Sequence, residues 1–582
     1  MSAPYGSVEG HAYPPHSSST AYLAGDGEKS ANMAQRSSFS PTVAKGGKKS
    51  SLKWWIIGGV VAVVVILAAV LGGVLGSRAA NDNNKSNAVK DNAGSSSGGT
   101  KTSSGAGASA TPAGPLVNIV DLPAWNWGQN KSIGMCLGSW LILEKWMLPD
   151  WYNATVNAVS PDAGATDMDE WALCERLGQD AAKEALTEHF NNFVTEDDID
   201  LLWQHGINHL RIPTGFWAWI PTTGDEPYVN DQALYQGQIE RILGYAYKRG
   251  MYAIIDMHGL PGSQNGEQSS GQLTTDPSWF GSSASTLTPN QQRSDDMVKA
   301  ATEWLAKTPY RSVVTGIEVI NEPRPYTDDQ IQQLEDYYTR SYATIQASEW
   351  PVATFLHNGY TNLTYWSDFA GQHATDPPSM VMVDHPYPGN FPPQNNSADI
   401  LSQVCSAADR YLQYPIPICI DEWGVYTGVK DQAFEEEFYK QQLVTWAWSA
   451  GGMYWSYKLI TSQQDLANGL DYSQYSWATL LANNSATIPK PSDYGLNGTT
   501  TGSDAQAFIA ALTAELTSSC GSTPDDVAPY SNGTYPVSTW SAEVGARSSA
   551  AGQTLTATET SLSSTAAPTA TVRVKRAVPM RA

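Results

Sequence analysis

The sequence contains little cysteine and little charge for a chain of 582 residues. Five residues are Cys, 16% are charged, and the 34 Lys and Arg are outnumbered by 57 Asp and Glu. So little Cys excludes a small disulfide-rich scaffold, and the acidic excess argues against nucleic-acid binding, which needs a basic surface. Aromatic residues are abundant instead, with 21 Trp and 28 Tyr. Together with the 41% of hydrophobic residues, they exclude disorder along the whole chain.

Changes in composition divide the chain into segments. Residues 1–53 are rich in Ser, Gly, Ala and Pro, which predicts a disordered arm. Residues 77–114 are rich in Ser, Gly and Asn and predict a flexible stalk. Residues 115–524 contain nearly all the Trp and predict the globular domain. Residues 525–582 are rich in Ser, Thr and Ala, which is typical of a disordered, O-glycosylated tail.

Residues 54–76, between the arm and the stalk, predict a single transmembrane helix. The run carries no charge, and at about 1.5 Å per residue it can cross a hydrocarbon core of about 30 Å. A buried core helix or a cleaved signal peptide fits less well, because the run is long and starts far from the N-terminus. Lysines crowd its N-terminal flank, namely Lys45, Lys48, Lys49 and Lys53. The positive-inside rule therefore predicts a signal-anchored, single-pass type II protein of the cell membrane, with residues 1–53 in the cytoplasm and the remainder extracellular.

An extracellular chain would expose its Asn-x-Ser/Thr sites to the glycosylation machinery. The candidates are Asn84, Asn130, Asn153, Asn362, Asn395, Asn483, Asn497 and Asn532. The five Cys leave at least one unpaired, or paired between chains. No CxxC motif or Cys/His ligand spacing is present, so the sequence predicts no metal site and no cofactor.

Short apolar segments alternate with helical segments through the globular part. The predicted strands are Ile133–Gly138, Ile207–Pro213, Ala253–His258, Gly316–Glu322, Ala353–His357, Val381–His385, Ile416–Glu422 and Gly452–Lys458. The clearest helices are Gln232–Lys248, Gln330–Ala347 and Asp431–Ala450. This alternation predicts parallel βαβ units, and eight of them predict an α/β fold of the (β/α)8 TIM-barrel type. The domain exceeds the roughly 250 residues of a simple barrel, so we expect insertions around Tyr152–Asp169, Gly259–Gln292 and Ile460–Gly502.

Polar residues fall at the carboxyl ends of these predicted strands, where barrel enzymes carry their active sites. They include Glu322 and Glu422, which lie one hundred residues apart. Two carboxylates at one barrel mouth suit glycosidic bond cleavage, in which one protonates the leaving oxygen and the other attacks the sugar or activates water. Alternatively, each glutamate caps a helix or pairs with Arg, or the two form a metal site with His258 and His385. Glu318 faces the barrel interior by alternation, which predicts a structural ion pair with Arg211.

Several sequence motifs resemble a known family of enzymes. Asn321-Glu322-Pro323 after GIEVI, and Glu422 within IDEWG, resemble glycoside hydrolase family 5 of clan A. Further stretches resemble the fungal exo-β-1,3-glucanases (glucan 1,3-β-glucosidases), namely LGSWLILEKWMLPDWY, HLRIPTGFWAW, IDMHGLPGSQNG, DHPYPGNF and GGMYWSYK. The resemblance runs from about residue 133 to residue 520. With a transmembrane segment upstream, the chain is similar to the type II membrane-anchored members of that group.

The resemblance implies a retaining mechanism, with Glu322 as acid/base and Glu422 as nucleophile. Its implied supporting residues are Arg211 beside Glu422, Asn321 on the sugar 2-hydroxyl, His385 and Tyr387 near the nucleophile, Glu144 and His258 on the terminal glucose, and Trp455 as a stacking floor. On the residues alone, His258 and Trp455 remain compatible with ordinary core positions, and Glu144 with an exposed charge. The resemblance also implies a disulfide between Cys405 and Cys520.

Some positions depart from the pattern of that group. Cys136 stands where Asn is usual, and Glu267 stands where the exo-glucanases place a Phe of an entrance clamp. Phe391 would supply the other clamp ring. These departures leave the linkage preference open.

The predicted function is an exo-acting retaining β-glucosidase that releases glucose from non-reducing ends of β-1,3-glucan, in cell-wall remodelling or degradation. Alternatives are a β-1,6-glucanase or transglucosylase on the same scaffold, a non-catalytic glucan-binding surface protein, and a membrane receptor or scaffold. The predicted partners are β-glucan and the lipid bilayer, and the chain is expected to be a monomer.

Overall fold

A computed structural model describes residues 119–159, 169–412, 414–482, 488–516 and 520. The predicted arm, transmembrane helix, stalk and tail lie outside these ranges, as do Asn84, Asn483 and Asn532. Within the described residues, no helix combines the length and the apolar character needed to cross a bilayer.

Eight parallel strands of the described chain close into a barrel in sequence order, with β1 paired to both β2 and β8. They are β1 Ser132–Cys136, β2 His209–Gly215, β3 Tyr252–Gly259, β4 Val314–Glu318, β5 Ala353–His357, β6 Met380–Val383, β7 Ile418–Trp423 and β8 Gly451–Tyr454. Every residue of these strands is buried, as expected for a parallel sheet covered by helices. The (β/α)8 prediction is therefore confirmed.

The carboxyl ends of some strands differ from the predicted bounds. β4 was expected to run to Glu322, but it ends at Glu318, and Glu322 lies in the loop that follows. β8 ends at Tyr454, so Trp455 lies just beyond it. The apolar pattern continues past both strand ends because the first loop residues are also buried. Backbone hydrogen bonds to neighbouring strands also continue beyond the strand ends, from the Val319 N–H to Phe355 and from the Trp455 N–H to Trp423.

The described helices surround the barrel or fill its loops. They are α1 Pro149–Val159, α2 Glu170–Phe193, α3 Glu196–Gln204, α4 Gln232–Lys248, α5 Pro289–Leu305, α6 Asp328–Gln346, α7 Leu363–Gln372, α8 Ser397–Tyr411, α9 Gln432–Trp446, α10 Gln463–Ala467, α11 Trp477–Ala482 and α12 Gly502–Thr513. α4 matches its predicted bounds, whereas α9 ends four residues early. α10 and α11 lie in the insertion expected at 460–502.

Local sequence explains where several helices begin. At α5, the Thr288 hydroxyl accepts from the Gln291 backbone N–H, and the Gln291 side chain accepts from the Thr288 N–H. This reciprocal capping box satisfies two donors that the first turn leaves without helical partners. Pro289 occupies the first helical position, where its missing N–H costs nothing.

A disulfide joins Cys405 of α8 to Cys520, with an S–S distance of 2.09 Å. It is the pair that the resemblance implied, and it fastens the chain after α12 to the barrel wall. The other cysteines, Cys136, Cys174 and Cys419, are buried and unpaired.

Candidate active site

The carboxyl ends of the strands bring the predicted site residues together around Arg211 of β2. Its side chain is fully buried, and its Nη1 donates to Glu422 Oε1 at 2.7 Å, its Nη2 to Asn321 Oδ1 at 2.8 Å and its Nε to Glu318 Oε2 at 2.9 Å. Asp256 and Asp421 also lie within ion-pair distance, at 3.1 and 3.3 Å. Burial opposes the charged form, but the surrounding carboxylates outweigh it and raise the pKa of Arg211 well above its ordinary value.

Glu422 of β7 is held on both carboxylate oxygens. Oε1 accepts from Arg211, and Oε2 accepts from the Tyr387 hydroxyl at 2.9 Å. Only 7% of the side chain is exposed. Burial raises the pKa of Glu422, while the positive charges of His385 and Arg211 oppose that rise. These donors orient one carboxylate and favour its ionised form, which is what attack on a sugar carbon requires.

Glu322 lies in the loop after β4 and is more open to solvent than Glu422, with 16% of its side chain exposed. Its backbone adopts the left-handed conformation, with φ at +46°. Tyr387 is also left-handed, with φ at +36°. Non-glycine residues in this region cost of order 1–3 kcal/mol and persist where the surroundings hold them. The strain therefore marks two loop positions shaped for the site.

His385 links the two glutamates. Its Nδ1 lies 2.9 Å from Glu322 Oε1 and 3.6 Å from Glu422 Oε2. The separation of these two oxygens cannot exceed the sum of the two distances. Retaining glycosidases place their carboxyl groups about 5–5.5 Å apart, whereas inverting enzymes leave about 6.5–9.5 Å for a water molecule. This upper bound applies to one pair of oxygens, and it is compatible with the retaining arrangement.

Glu144, His258 and Trp455 border the barrel mouth on the β1, β3 and β8 side. The His258 and Trp455 rings are parallel, with centroids 5.6 Å apart. Glu144 Oε2 accepts from the indole N–H of Trp146 at 2.9 Å. Its Oε1 is buried and has no hydrogen-bond partner among the described residues. Burial raises the pKa of Glu144 to about 7, so the expected alternative of an exposed surface charge does not apply.

Charged and exposed groups lie near Glu322. Glu267, where the resemblance leads us to expect Phe, pairs with Arg324 at 3.2 Å. The Arg324 guanidinium lies over the Tyr360 ring, 5.5 Å from its centroid. Phe391 is 41% exposed and packs edge-on against Tyr387. Cys136, in contrast, is buried, and its thiol donates to the backbone oxygen of Asp421.

Asp256 and Asp421 are parts of the site that sequence reasoning missed. Asp256 holds His258 through an Oδ2–Nδ1 contact of 2.7 Å, and because the two residues are two positions apart in β3, their side chains lie on the same side of the strand. Asp421 precedes Glu422, so strict alternation would turn it away. The pairing of β7 with β8 shifts register between Ile420 and Trp423, and both acidic residues contact Arg211. No signal in the sequence marks that irregularity.

In the described residues, two groups of three side chains each bring three atoms that could bind a metal ion close together. They are Glu322, His357 and His385, and Glu318, His385 and Asp421. In both, His385 already faces carboxylate oxygens at hydrogen-bond distance. Hydrogen bonding accounts for these clusters, and we assign no metal to them.

Comparisons with known proteins agree with this geometry. The family described as Cellulase (glycosyl hydrolase family 5) matches residues 175–458. "Glucan 1,3-beta-glucosidase 1" of Schizosaccharomyces pombe is 33% identical over 304 residues, which cover 52% of this chain and 70% of that protein. "Probable glucan 1,3-beta-glucosidase A" of Aspergillus fumigatus is 33% identical over 294 residues, covering 50% of this chain and 64% of the relative. The crystal structure of rutinosidase from Aspergillus niger matches with a TM-score of 0.50 and 23% identity, over 58% of this chain and 93% of that one. This last likeness concerns the fold alone.

Proposed function

Because the chain belongs to glycosyl hydrolase family 5 and is a glycoside hydrolase, we propose that it releases glucose from the non-reducing ends of β-1,3-glucan with retention of configuration. The observation that carries this proposal is the pair of carboxylates on one His385 nitrogen, Glu322 at 2.9 Å and Glu422 at 3.6 Å. The two glucan 1,3-β-glucosidase relatives support the substrate class.

The proposed reaction has two displacements. Glu422 attacks the anomeric carbon while the Glu322 acid protonates the departing oxygen, and a glycosyl–enzyme ester forms on Glu422. Glu322 then accepts a proton from water, which attacks the ester and frees glucose. Arg211 and Tyr387 occupy opposite oxygens of Glu422. They hold the nucleophile in one orientation, so little of the reaction barrier is spent on reorganisation.

Glu144 supports the exo mode of action. It is 5% exposed, and in the ionised form of Glu144 its Oε1 is a buried acceptor that finds no donor in the described structure. A buried polar atom without a partner is costly, so a ligand hydroxyl that donates to it would bind favourably. A terminal glucose stacked on Trp455 would bring such hydroxyls, whereas a chain continuing past Glu144 would replace one with a glycosidic oxygen that cannot donate. We assign Glu144, His258 and Trp455 to the terminal sugar, with Asn321 at its 2-hydroxyl.

The linkage is tested by the products. The full-length chain, purified in mild detergent, is incubated with β-1,3- and β-1,6-linked gluco-oligosaccharides labelled at the reducing end. Stepwise release of single glucose units from the β-1,3 series alone is the expected result. Faster cleavage of the β-1,6 series, longer transfer products or internal cuts would each replace the proposal with the corresponding alternative. Glu422→Gln is the control for contaminating glucanases.

A non-catalytic glucan-binding protein is the second candidate. It is favoured only by the apolar and aromatic surround of the site, such as Trp455 and Phe391, which would serve binding alone. The presence of both glutamates opposes it. If wild-type protein and Glu422→Gln bound laminarin equally and neither released glucose, this second candidate would stand.

We also propose the location that the sequence predicts. The uncharged run at 54–76 would anchor the chain in the cell membrane, with the barrel facing the cell wall. Protease treatment of intact spheroplasts tests it. The barrel should be digested from outside, while an epitope placed in residues 1–53 should survive, and the reverse pattern would contradict this topology.

A further inference from the structure

His385 has a carboxylate at each of its ring nitrogens. Nδ1 lies 2.9 Å from Glu322 Oε1, and Nε2 lies 2.9 Å from Asp421 Oδ1. A neutral imidazole has one N–H and one lone pair, whereas an imidazolium ion donates from both nitrogens. The ring is fully buried, so it has no access to solvent as an alternative partner. Two acceptors on a buried ring favour the doubly protonated form.

Asp421 is the group that makes this arrangement possible, and a second carboxyl lies against it. Burial works against ionisation of Asp421, but Arg211 and His385 outweigh burial and lower the pKa of Asp421. Carboxyl oxygens of Glu318 and Asp421 lie within 4.8 Å of each other, and Glu318 Oε1 and Asp421 Oδ2 are both buried with no hydrogen-bond partner among the described residues. A proton on one of the two carboxyl groups supplies a donor that two carboxylates lack. Burial raises the pKa of Glu318 well above its usual range, which favours Glu318 as the protonated group.

Carboxyl groups outnumber the guanidinium of Arg211 in the buried site. Asp256, Glu318, Asp421 and Glu422 all lie within ion-pair distance of Arg211. Burial of net charge is expensive in a medium of low dielectric constant. A positive charge on His385 and a proton on Glu318 both reduce this negative excess.

We propose that Asp421 is a positioning residue that keeps His385 as an imidazolium, with Glu318 as the neutral donor that supports Asp421. This inference rests on the proposed function of Glu322 as acid/base. With a proton on Nδ1, His385 donates to Glu322 Oε1, and the transferable proton of Glu322 is carried by Oε2. A neutral ring with its lone pair on Nδ1 would instead draw that proton onto Oε1, where it would be bound to His385 and not to the leaving oxygen.

The ionisation of His385 depends on groups from several elements. They are Arg211 of β2, Glu318 of β4, Glu322 in the loop after β4, His357 of β5, Tyr387 after β6, and Asp421 and Glu422 of β7. Burial lowers the pKa of His385, but the surrounding carboxylates overcome this and raise it to about 10. Burial and the His385 charge keep the pKa of His357 well below its ordinary value. His357 therefore adds no second positive charge.

The pH dependence of kcat/KM tests the role of Asp421. On the acid limb of the pH profile, activity rises as Glu422 ionises. On the alkaline limb, activity falls as Glu322 loses its proton. Asp421→Asn removes the carboxylate that stabilises the imidazolium, and a neutral His385 no longer favours the ionised form of either glutamate. Both limbs should move to higher pH, by about one unit. A loss of activity at all pH values with unmoved limbs would mean a merely structural role and would overturn the proposal.

Asp384→Asn is the matched control for this change. Asp384 directly precedes His385, but its carboxylate accepts hydrogen bonds from Asn358 and Tyr411 instead. The substitution removes the same charge from the residue that is adjacent to His385 in the chain. Its pH limbs should coincide with those of the wild type, and a shift equal to that of Asp421→Asn would show a general charge effect and overturn the specific role of Asp421.

Glu318→Gln tests the shared proton. The Gln amide donates to Asp421 as a protonated Glu318 would, and its oxygen still accepts from Arg211. We therefore expect the melting temperature and the pH limbs of Glu318→Gln to remain close to those of the wild type. If Glu318 is ionised instead, this substitution removes a countercharge of Arg211, and a large fall in melting temperature would overturn the proposed proton position.

A spectroscopic measurement separates this inference from the proposed function. With 15N-labelled histidine in the full-length chain, the His385 signals, assigned with His385→Gln, should show two protonated ring nitrogens at pH 7. A single protonated nitrogen would overturn the inference whatever the activity. Absence of glucosidase activity in the wild type, with an imidazolium His385, would overturn the proposed function instead. The measurement needs no substrate and no folded Asp421 variant.

Discussion

The two sides of the proposed catalytic site are built differently. On the Glu422 side, Arg211 and Glu422 both lie in strands and are almost entirely buried. On the other side, Glu322 lies in a loop with left-handed backbone, is 16% exposed, and is followed by Arg324 and by Tyr326, which is 72% exposed. This contrast in burial and rigidity matches the roles proposed for the two glutamates. A nucleophile must meet one carbon atom in one orientation, whereas an acid/base must serve a departing sugar, and later water, at an open face.

Removal of the nucleophile on the rigid side should have the largest effect. Glu422→Gln keeps the size of the side chain but cannot form the glycosyl ester, so kcat/KM should fall by roughly 10⁴-fold or more on laminarin and on aryl β-glucosides alike. Glucose release measured on both substrates checks this. Retention of activity on either would assign the nucleophile elsewhere.

Removal of the acid on the open side should have a smaller effect that depends on the substrate. Glu322→Ala should lower kcat/KM on laminarin by about 10²–10⁴-fold, because general acid catalysis contributes about that much. Formation of the glycosyl–enzyme from an aryl glucoside with a good leaving group needs little protonation and should be largely preserved. Added azide should then give the β-glucosyl azide. An equal loss on both substrates, without azide rescue, would contradict the acid role.

Glu144 should produce a moderate, pH-dependent effect. Its folded-state pKa of about 7 is above the ordinary value of 4.5, so the folded protein holds a proton there that the unfolded chain loses. Stability contributed by this proton is present below about pH 4.5 and is lost as pH rises to about 7. Gln does not titrate, so Glu144→Gln should lose less stability over this pH range than the wild type, by up to about 3 kcal/mol. The free energy of unfolding of both proteins, measured with denaturant at pH 5 and pH 7, checks this. An equal change in unfolding free energy between the two pH values in both proteins would contradict the raised pKa.

The same Glu144 variant should also weaken sugar binding. The Gln amide has one acceptor oxygen and no charge, whereas the carboxylate of Glu144 offers two charged acceptor oxygens to ligand hydroxyls, so KM for oligosaccharides should rise more than kcat falls. A KM equal to that of the wild type would remove Glu144 from the terminal-sugar site.

The smallest effect should come from Glu267 at the open side. Glu267→Gln removes a partly exposed charge paired with Arg324, and such pairs contribute little to stability. We expect a change of about threefold or less in hydrolysis of β-1,3-linked substrates, with any larger change confined to the choice of acceptor or linkage. Product ratios on the two oligosaccharide series measure it. A loss comparable with that of Glu322→Ala would move Glu267 into the catalytic centre.

Much of this site could be predicted from the sequence alone, for identifiable reasons. Arg211, His258 and Glu422 follow or end apolar runs, and parallel strands bring such ends to one face. The disulfide between Cys405 and Cys520 was available only through resemblance, since five Cys allow several pairings. The bound of β4 was misjudged at Glu322, because buried loop residues continue the apolar pattern of the strand.

The amino-acid sequence alone determined the order of strands and helices and the position of both proposed catalytic glutamates, because periodicity and strand-end chemistry are local properties of the chain. The tertiary structure decided that neighbouring Asp421 and Glu422 both reach Arg211 and that His385 lies between three carboxylates. The reason is that side-chain direction in β7 depends on its pairing with β8, which shifts register between Ile420 and Trp423. A shift in pairing between two strands leaves no mark on the residues of either one.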